Sequence, residues 1–282
     1  MSNQTTNIQY PLNNDLMFGL VMQNQVLCKD LLERILPGRK IQELKVCDAS
    51  NTNLQKTIIT GIISKCVRLD VLFTDNPDWY NLEMQNVSDP YLPMRGRYYG
   101  AAMDIDQINK GSHYYQLKNN YVIFICTFDP FEDQLFRYTF ENICYETGKP
   151  LNDGTCKIFL NTRGTNHSDV SPVLIHFLQY VENSTDDFVE QMQDDTLNQI
   201  HRKISELKAS REWEAKYMKF EELLRREHED GEATGKVIGT VIGEKRMADL
   251  ISFLLRDGLE YEIPKIAADE KLRETYYHKY QL

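Results

Sequence analysis

The sequence has few cysteines, and their spacing gives no support for a zinc site. Six cysteines occur in 282 residues, and no two of them form a C-x-x-C pair. Structural zinc sites usually draw their ligands from such pairs, so we expect no zinc module. Cys66 and Cys126 lie inside apolar runs. We therefore expect buried free thiols and a reducing compartment.

Long hydrophobic runs are also missing. The longest is YVIFICTF at residues 121–128, and a membrane-spanning helix needs about 20 apolar residues. The first segment, MSNQTTNIQYPLNND, is polar and lacks the apolar stretch of a signal peptide. These features predict a soluble, cytoplasmic protein without membrane association.

Several catalytic motifs are absent, and so is an excess of positive charge. There is no G-x-x-x-x-G-K-[ST], H-E-x-x-H or G-x-S-x-G, which argues against a nucleotide cofactor, a zinc protease site and a hydrolase nucleophile elbow. The formal net charge is −10. This negative charge argues against a protein whose whole surface attracts nucleic acid, but it is compatible with a local basic patch that does so.

The most informative stretch is RLDVLFTDNPDWYNLEMQN, residues 68–86. Its polar and apolar residues alternate on two arms around a turn at residues 75–78, which predicts a β-hairpin. On the second arm, alternation places Asn81, Glu83 and Gln85 on one face. The turn sets Asp70 opposite Glu83 and Arg68 opposite Gln85, with facing Cβ atoms about 4.5–5.5 Å apart.

Two carboxylates at that separation repel each other unless a cation lies between them. Oxygen ligands on a rigid hairpin suit Mg²⁺ or Mn²⁺, with Ca²⁺ as a further candidate. Asp70 and Glu83 are therefore the predicted metal ligands, and Gln85 is placed to orient water or a phosphate oxygen. The alternative is that both acids are solvent-facing residues of a half-exposed sheet.

The flanking segments complete a mixed α/β domain. A helix over 13–36, capped by Asn13 or Asn14, precedes the hairpin and carries Asp15. A second helix over 91–112 follows the hairpin and ends at Gly111. The run at 121–128 predicts a central buried strand. Further strands are expected at 135–144 and 156–162, with a closing helix at 171–181.

These motifs resemble a known family. NNDLMFGLVM, RLDVLF…YNLEMQN, MRGRYYGAAM…QINKGSHYYQLKNNYVIFI and EWEAKYMKFEELLRREHEDGEATGK occur in an order similar to that of the Rpn family. Its members are recombination-promoting nucleases, also called putative transposases, of the PD-(D/E)XK superfamily. The resemblance implies an αβββαβ restriction-endonuclease-like core with a C-terminal helical extension. It also implies a metal-dependent DNA endonuclease that promotes recombination or acts in mobile-element or defence biology.

The resemblance also assigns roles to residues. Asp70 and Glu83 match the catalytic, metal-binding acids, Gln85 matches the third active-site position, and Asp15 matches an acid that completes such a metal site. The residues expected to contact DNA are Arg68, Arg95, Arg97 and Gln107. Asp15 is equally read as a first-turn acid favoured by the helix dipole. Arg95 and Arg97 are equally read as a solvated helix end. For Tyr98, Tyr99, Tyr114 and Tyr115, packing is favoured over DNA stacking.

Two positions depart from the superfamily signature. Leu69 stands in the place of Pro, and Gln85 stands in the place of Lys. A neutral amide supplies no positive charge to a transition state, so more of the chemistry falls to the metal. The alternative is a non-enzymatic, DNA-associated or regulatory protein that keeps the nuclease fold.

The C-terminal part differs in character. We divide the chain into a nuclease domain (1–181), a helical accessory segment (182–226) and a Gly-repeat helical tail (227–282). Residues 202–226 are basic at helical spacing, which favours either phosphate contact or a solvated face with ion pairs. In the tail, glycines recur at four-residue spacing, at Gly231, Gly235, Gly239 and Gly243. Such a row lets another helix approach closely, so we expect a homodimer through the C-terminal helices. The alternative is a flexible linker.

Overall fold

The structure is a computed structural model that describes residues 11–46, 56–58, 67–69, 71–75, 78–108 and 111–282. The chain forms two compact units, one ending at Trp213 and the other running from Glu214 to Leu282. The helices are α1 (Asp15–Met22), α2 (Gln25–Ile35), α3 (Leu92–Gln107), α4 (Pro172–Glu182), α5 (Asp186–Met192), α6 (Asp195–Lys208), α7 (Arg211–Arg256), α8 (Ile263–Ala268) and α9 (Glu270–Tyr280). None of the helices within these ranges combines the length and apolarity that a bilayer crossing demands.

The strands are β1 (Lys45–Val46), β2 (Lys56–Ile58), β3 (Val67–Leu69), β4 (Val71–Thr74), β5 (Asp78–Gln85), β6 (Asn119–Cys126), β7 (Arg137–Phe140) and β8 (Thr155–Asn161). Within the described ranges, one sheet has the order β1-β4-β5-β6-β8-β7, and β2 pairs with β3 separately. Strands β5, β6 and β8 are parallel, whereas β1, β4 and β7 are antiparallel to their neighbours. The predicted mixed α/β fold is confirmed.

The predicted hairpin has the predicted register. Four pairs join β4 to β5 in antiparallel fashion: Val71–Leu82, Leu72–Asn81, Phe73–Tyr80 and Thr74–Trp79. A strand slip by one residue would turn every side chain to the other face, so the register fixes which residues of β5 face α3. The next pair in this register, Asp70 with Glu83, involves a residue outside the described part of the chain.

The first helix differs from its prediction. Instead of one helix over 13–36, the chain forms α1 and α2 with a break at Gln23 and Asn24. Asn24 adopts an extended backbone, and its side chain accepts hydrogen bonds from Val26 N at 3.1 Å and Leu27 N at 3.4 Å. An Asn side chain that bonds local N–H groups competes with helix continuation. The predicted cap at Asn14 is confirmed, because its Oδ1 accepts from Met17 N at 3.0 Å.

The central strand is β6, as predicted, and α3 packs on one of its faces. Residues Val122 to Cys126 are all 0% exposed. Two glycines allow the close approach: a Cβ on Gly96 would lie 3.2 Å from the Phe124 ring, and one on Gly100 would lie 3.3 Å from Asn120 Oδ1. The helix was expected to reach Gly111, but it ends at Gln107. This packing sets the first turns of α3 over the carboxyl-terminal half of β5 and β6.

Several described thiols are free, as expected. Cys28, Cys126 and Cys156 are buried, but Cys144 is exposed, which corrects its expected burial. Burial raises the pKa of Cys126 to about 12, although Arg95 opposes the shift. Cys47 and Cys66 lie outside the described residues.

The second unit has its own small core. Leu250 and Leu254 of α7 pack against Ile266 of α8 and Tyr277 of α9. The predicted break near Gly258 is confirmed: this glycine has a φ of 71°, and Leu259 N donates to Leu254 O at 2.8 Å. Such a left-handed glycine ends a helix without strain.

Candidate functional site

Glu83 is the centre of the candidate site, and it is buried. Its position on β5 leaves it 3% exposed, so the interpretation as a solvent-facing acid is wrong for this residue. Asn81, two residues earlier on the same face, donates from Nδ2 to Glu83 Oε1 at 3.0 Å. A buried carboxylate requires compensation by hydrogen bonds or positive charge. The site must therefore supply more than this one amide.

Arg95 supplies the nearby positive charge. Its Nη2 lies 4.0 Å from Glu83 Oε2 and donates a 2.7 Å hydrogen bond to Gln85 Oε1. The guanidinium stacks over the rings of Phe124, at 5.3 Å, and Tyr99, at 5.6 Å. The close packing of α3 on β6 places it there. The alternative interpretation of Arg95 as part of a solvated helix end is therefore wrong, whereas its DNA contact stays a prediction.

Gln85 is held at both ends of its amide. Its Oε1 accepts from Arg95, and its Nε2 donates to Val87 O at 2.5 Å. A guanidinium can only donate and a carbonyl can only accept, so these two partners together fix which end of the amide is oxygen. The side chain is almost fully buried, at 9% exposure.

Asp15 reaches the same end of β5 from α1. Asn86, the residue after β5, donates from Nδ2 to Asp15 Oδ1 at 3.1 Å and to Asn13 O at 2.6 Å. Burial raises the pKa of Asp15, while the charge of Arg95 acts in the opposite direction. Asp15 is also a first-turn acid of α1, which confirms that interpretation; its role as a metal ligand stays a prediction.

Asp89 adds a further carboxylate, and its Oδ2 lies 3.9 Å from Arg95 Nη1. The side chains of Arg95 and Asp89 are about one third exposed, at 31% and 32%, so the site opens to solvent on this side. We call Asp15, Glu83, Gln85, Asp89 and Arg95 the β5-edge cluster. It lies at the carboxyl end of parallel strands, where ligands bind in open α/β sheets.

Sequence reasoning did not identify every member of this site. The alternation placed Asn81 on the same face as Glu83 and Gln85, but the sequence assigned it no role in the site. Asn86 and Asp89 follow the strand in irregular structure, and no periodic signal points to them.

For two predicted site residues, the structure does not describe the side chain. Asp70 is outside the described residues, and so is the side chain of Arg68, although its backbone belongs to β3. Among the residues that are described, no group of three or more His, Cys, Asp or Glu side chains converges as a metal site. Glu83 and Asp15 provide carboxylate oxygens, which fit a hard divalent cation in kind. The raised pKa of Asp15 also reflects burial that Arg95 compensates only in part.

Two other predicted DNA contacts lie on α3. Arg97 is exposed on α3. Gln107 ends α3, twelve positions or about 18 Å of helix beyond Arg95, and its Oε1 accepts from Lys118 N at 2.7 Å. Gln107 thus secures the turn that leads into β6.

The tyrosines divide into two groups. Tyr99 packs on Phe124 with ring centroids 6.2 Å apart, as expected. Tyr114 and Tyr115 are 84% and 81% exposed, so the packing interpretation is wrong for them.

The basic stretch at 202–226 carries ion pairs. Arg202 and Lys203 each lie within 4.0 Å of Glu206, and Arg226 pairs with Glu222 four residues before it. These contacts are those of a solvated helical face, which was one of the two expected interpretations. The stretch is also divided, because α6 ends at Lys208 and α7 begins at Arg211.

The sequence model of one protein family matches most of the chain. That family is described as PD-(D/E)XK nuclease family transposase, and the match covers residues 15–230. The comparisons found no matching curated protein and no matching solved structure.

Proposed function

We propose a function from the premise that the chain belongs to the PD-(D/E)XK nuclease family transposases: it is a metal-dependent DNA endonuclease. The reaction joins a water oxygen to phosphorus and breaks one P–O ester bond. The leaving oxygen takes a proton and becomes a hydroxyl end, and the other end keeps the phosphate. Recombination, mobile-element biology or defence in the cytoplasm is the setting we propose for this cleavage.

One observation carries the proposal most directly: a buried glutamate at the carboxyl end of a central strand, beside an arginine that is open to solvent. Glu83 is 3% exposed and lies within 4.0 Å of Arg95. Buried charged groups are costly, and they concentrate at functional sites. A purely structural sheet position would be more stable with an apolar residue.

In the proposed mechanism, Glu83 and Asp70 hold the cation, and Asp15 completes its ligands. Mg²⁺ is the proposed ion, with Mn²⁺ or Ca²⁺ as substitutes. Such an ion, when bound, supplies Lewis-acid chemistry to the phosphate and to water. Glu83 sits in a dry environment, where a carboxylate interacts strongly with a cation. Asn81 orients that carboxylate through its hydrogen bond to Oε1.

The phosphate backbone of DNA is the proposed partner of Gln107 and of several basic side chains. Arg68, Arg97, Gln107 and the basic residues of 202–226 are assigned to contacts that position DNA without reading its sequence. Because counterions are released in such binding, affinity for DNA should fall steeply as salt rises. An affinity that does not change between 50 and 200 mM salt would contradict this assignment.

A plasmid assay tests the proposed activity. Supercoiled plasmid is incubated with the protein and a series of Mg²⁺, Mn²⁺ and Ca²⁺, and nicked and linear products are measured. We expect cleavage with Mg²⁺ or Mn²⁺ and its loss in the double variant Asp70→Ala/Glu83→Ala. The control is Glu141→Gln, an exposed acid just after β7. Undiminished nicking by the double variant would refute the proposal.

A second candidate function is a DNA-associated protein that does not cut. The observation that favours it is the Arg95–Glu83 pair, because a guanidinium can neutralise the carboxylate without a metal. A thermal-shift measurement with Mn²⁺ separates the two. A rise in melting temperature indicates that the protein binds the cation, whereas an unchanged melting temperature favours the non-enzymatic function.

We also propose a homodimer through the C-terminal helices. On α7, a Cβ added to Gly239 or Gly243 would meet no atom within 4 Å of the described chain, and each glycine costs a helix about 1 kcal/mol relative to alanine. These glycines leave a groove along α7, and a partner helix packed in that groove would explain their cost to helix stability. Light scattering of Gly239→Leu/Gly243→Leu should give a monomer, because leucine fills the groove and still favours a helix. An unchanged mass would favour the linker interpretation.

A further inference from the structure

Each end of the Gln85 amide already has a partner within the protein. Its Nε2 donates to Val87 O at 2.5 Å, and its Oε1 accepts from Arg95 Nη2 at 2.7 Å. One N–H and one lone pair of the amide remain, but Gln85 is only 9% exposed and these two bonds fix the direction in which its amide points. Gln85 is therefore built to hold Arg95.

Arg95 packs against two aromatic rings and keeps N–H donors that no described residue uses. The guanidinium carbon lies 5.3 Å from the centre of the Phe124 ring and 5.6 Å from that of Tyr99, and these cation–π contacts restrict its movement. Its Nε is buried and has no hydrogen-bond partner among the described residues. The nearest oxygens of Glu83 and Asp89 lie 4.0 and 3.9 Å away, beyond hydrogen-bond distance. A guanidinium carries five N–H donors. Nε is buried and one Nη2 donor bonds Gln85, so the remaining Nη donors are the ones available to an oxyanion.

We propose that Arg95 is a catalytic residue, which supplies the positive charge that Lys supplies in the D…(D/E)-x-K signature, and that Gln85 positions it. This inference rests on the proposed nuclease function. The third signature position on β5 carries Gln85, and a guanidinium from α3 lies directly against it. The positive side chain is thus on α3 and not on β5, and the amide of Gln85 accepts a hydrogen bond from it.

The chemistry suits an arginine. During hydrolysis, negative charge builds on the phosphate oxygens as the water oxygen bonds to phosphorus and the ester oxygen leaves. The guanidinium donates hydrogen bonds to such oxygens and stays charged throughout, so it stabilises charge and does not act as a base. A fixed donor of this kind needs no reorganisation during the reaction, which is why one such donor is worth about 10²–10³ in kcat.

A simple DNA-backbone contact fits Arg95 less well. Arg97, two positions along α3, is exposed as a backbone contact should be. Arg95 instead lies against the β5 acids and lowers the pKa that burial would give Asp15. Its charge acts on the same group of carboxylates that the metal proposal uses.

Kinetics on purified variants test the inference. The variants are Arg95→Gln, Arg95→Lys, Gln85→Lys and the exchange Gln85→Lys/Arg95→Gln, each assayed for kcat and KM with Mn²⁺. We expect Arg95→Gln to lower kcat about 10²-fold or more, with KM changed less than threefold. Arg95→Lys should retain more activity than Arg95→Gln because it keeps the charge.

The two Gln85 variants give the sharpest contrast. Gln85→Lys alone should lower activity, because it removes the acceptor of Arg95 and sets an ammonium against the guanidinium. In the exchange variant the lysine takes over the charge, so activity should rise at least tenfold above that of Arg95→Gln. Gln85→Lys activity at or above the wild-type level would overturn the inference.

Controls separate this inference from the nuclease proposal and from misfolding. Arg137→Gln on β7 is the matched control, because the adjacent Tyr138 packs on the α3 side and alternation turns Arg137 to the other face. The Mn²⁺-induced rise in melting temperature should survive in Arg95→Gln, since Arg95 is not a metal ligand. A wild-type protein that cuts nothing refutes both proposals. A wild type that cuts, with Arg95→Gln altered only in KM or not at all, refutes the catalytic role alone.

Discussion

Replacing Glu83 with glutamine removes a buried charge and preserves the shape of the side chain. Without metal, two opposing effects nearly cancel. The attraction to Arg95 across 4.0 Å is worth about 4 kcal/mol at an effective dielectric constant of about 20. The neutral amide avoids the cost of burying a carboxylate, which is several kcal/mol and therefore similar in size to the lost attraction. We therefore expect Glu83→Gln to change the metal-free melting temperature by only a few degrees.

With metal present, the two proteins should differ in stability, because only the wild type has the Glu83 carboxylate to bind the cation. A cation at about one hundred times its dissociation constant stabilises the native state by about 2.7 kcal/mol. For a unit of about 200 residues, each kcal/mol shifts the melting temperature by about 2–4 °C. Wild-type protein should therefore melt about 5–11 °C higher in saturating Mn²⁺. In Glu83→Gln, most of this shift should disappear because a neutral amide is a weak ligand for a hard cation.

Differential scanning fluorimetry measures both quantities in one experiment. Titrating Mn²⁺ into wild type, Glu83→Gln and the exposed control Glu141→Gln gives the shift for each, with a chelator restoring the metal-free value. The control should behave as wild type. A Glu83→Gln protein that keeps the full Mn²⁺ shift would show that the cation binds elsewhere, and the metal role of Glu83 would then be wrong.

Two ion pairs of the scaffold give further predictions. Asp194 caps α6 and accepts two hydrogen bonds from Arg34 at 2.7 and 2.8 Å; although burial raises its pKa, these bonds lower it overall. Its stabilisation is therefore present above the unfolded pKa of about 3.9 and lost as the pH falls through the folded value. Asparagine still caps the helix, so Asp194→Asn removes only the ion pair with Arg34. Denaturant unfolding should show that the free energy of unfolding falls by about 3 kcal/mol at pH 7 and by less toward pH 3. A loss that does not depend on pH would contradict this. Arg39 pairs with Asp78, which is 3% exposed, so Arg39→Met should cost about 3–5 kcal/mol, and Arg39→Met/Asp78→Asn should recover part of it; a double variant less stable than the single one would refute the pairing.

The hairpin could be predicted from the sequence because its signals are local. Alternation with a period of two assigns each residue to a face, and the turn at residues 75–78 fixes the register. The four observed β4–β5 pairs follow that register. Burial was less predictable: alternation placed Glu83 opposite the apolar face, but only the packing of α3 shows that this second face is also covered.

The missed features share a physical cause. Asn24 occupies a polar position of a helical pattern, and nothing local distinguishes an exposed side chain from one that caps a new helix. Gln107 and Arg95 belong to the same helix, and periodicity does not state which of them meets a carboxylate. That outcome depends on where α3 crosses the sheet, and Gly96 and Gly100 set this crossing by allowing close contact with β6.

The same limit explains why Gln85 looked like a defect in the sequence. Judged alone, an amide in the place of Lys removes the positive charge that hydrolysis needs. In the folded chain, the carbonyl of Val87 and the guanidinium of Arg95 hold opposite ends of that amide. A lysine there could still donate to Val87 O, but it would offer Arg95 no acceptor and would repel its charge. Glutamine is thus the residue that this arrangement requires, and its presence argues for a site in which the charge comes from α3.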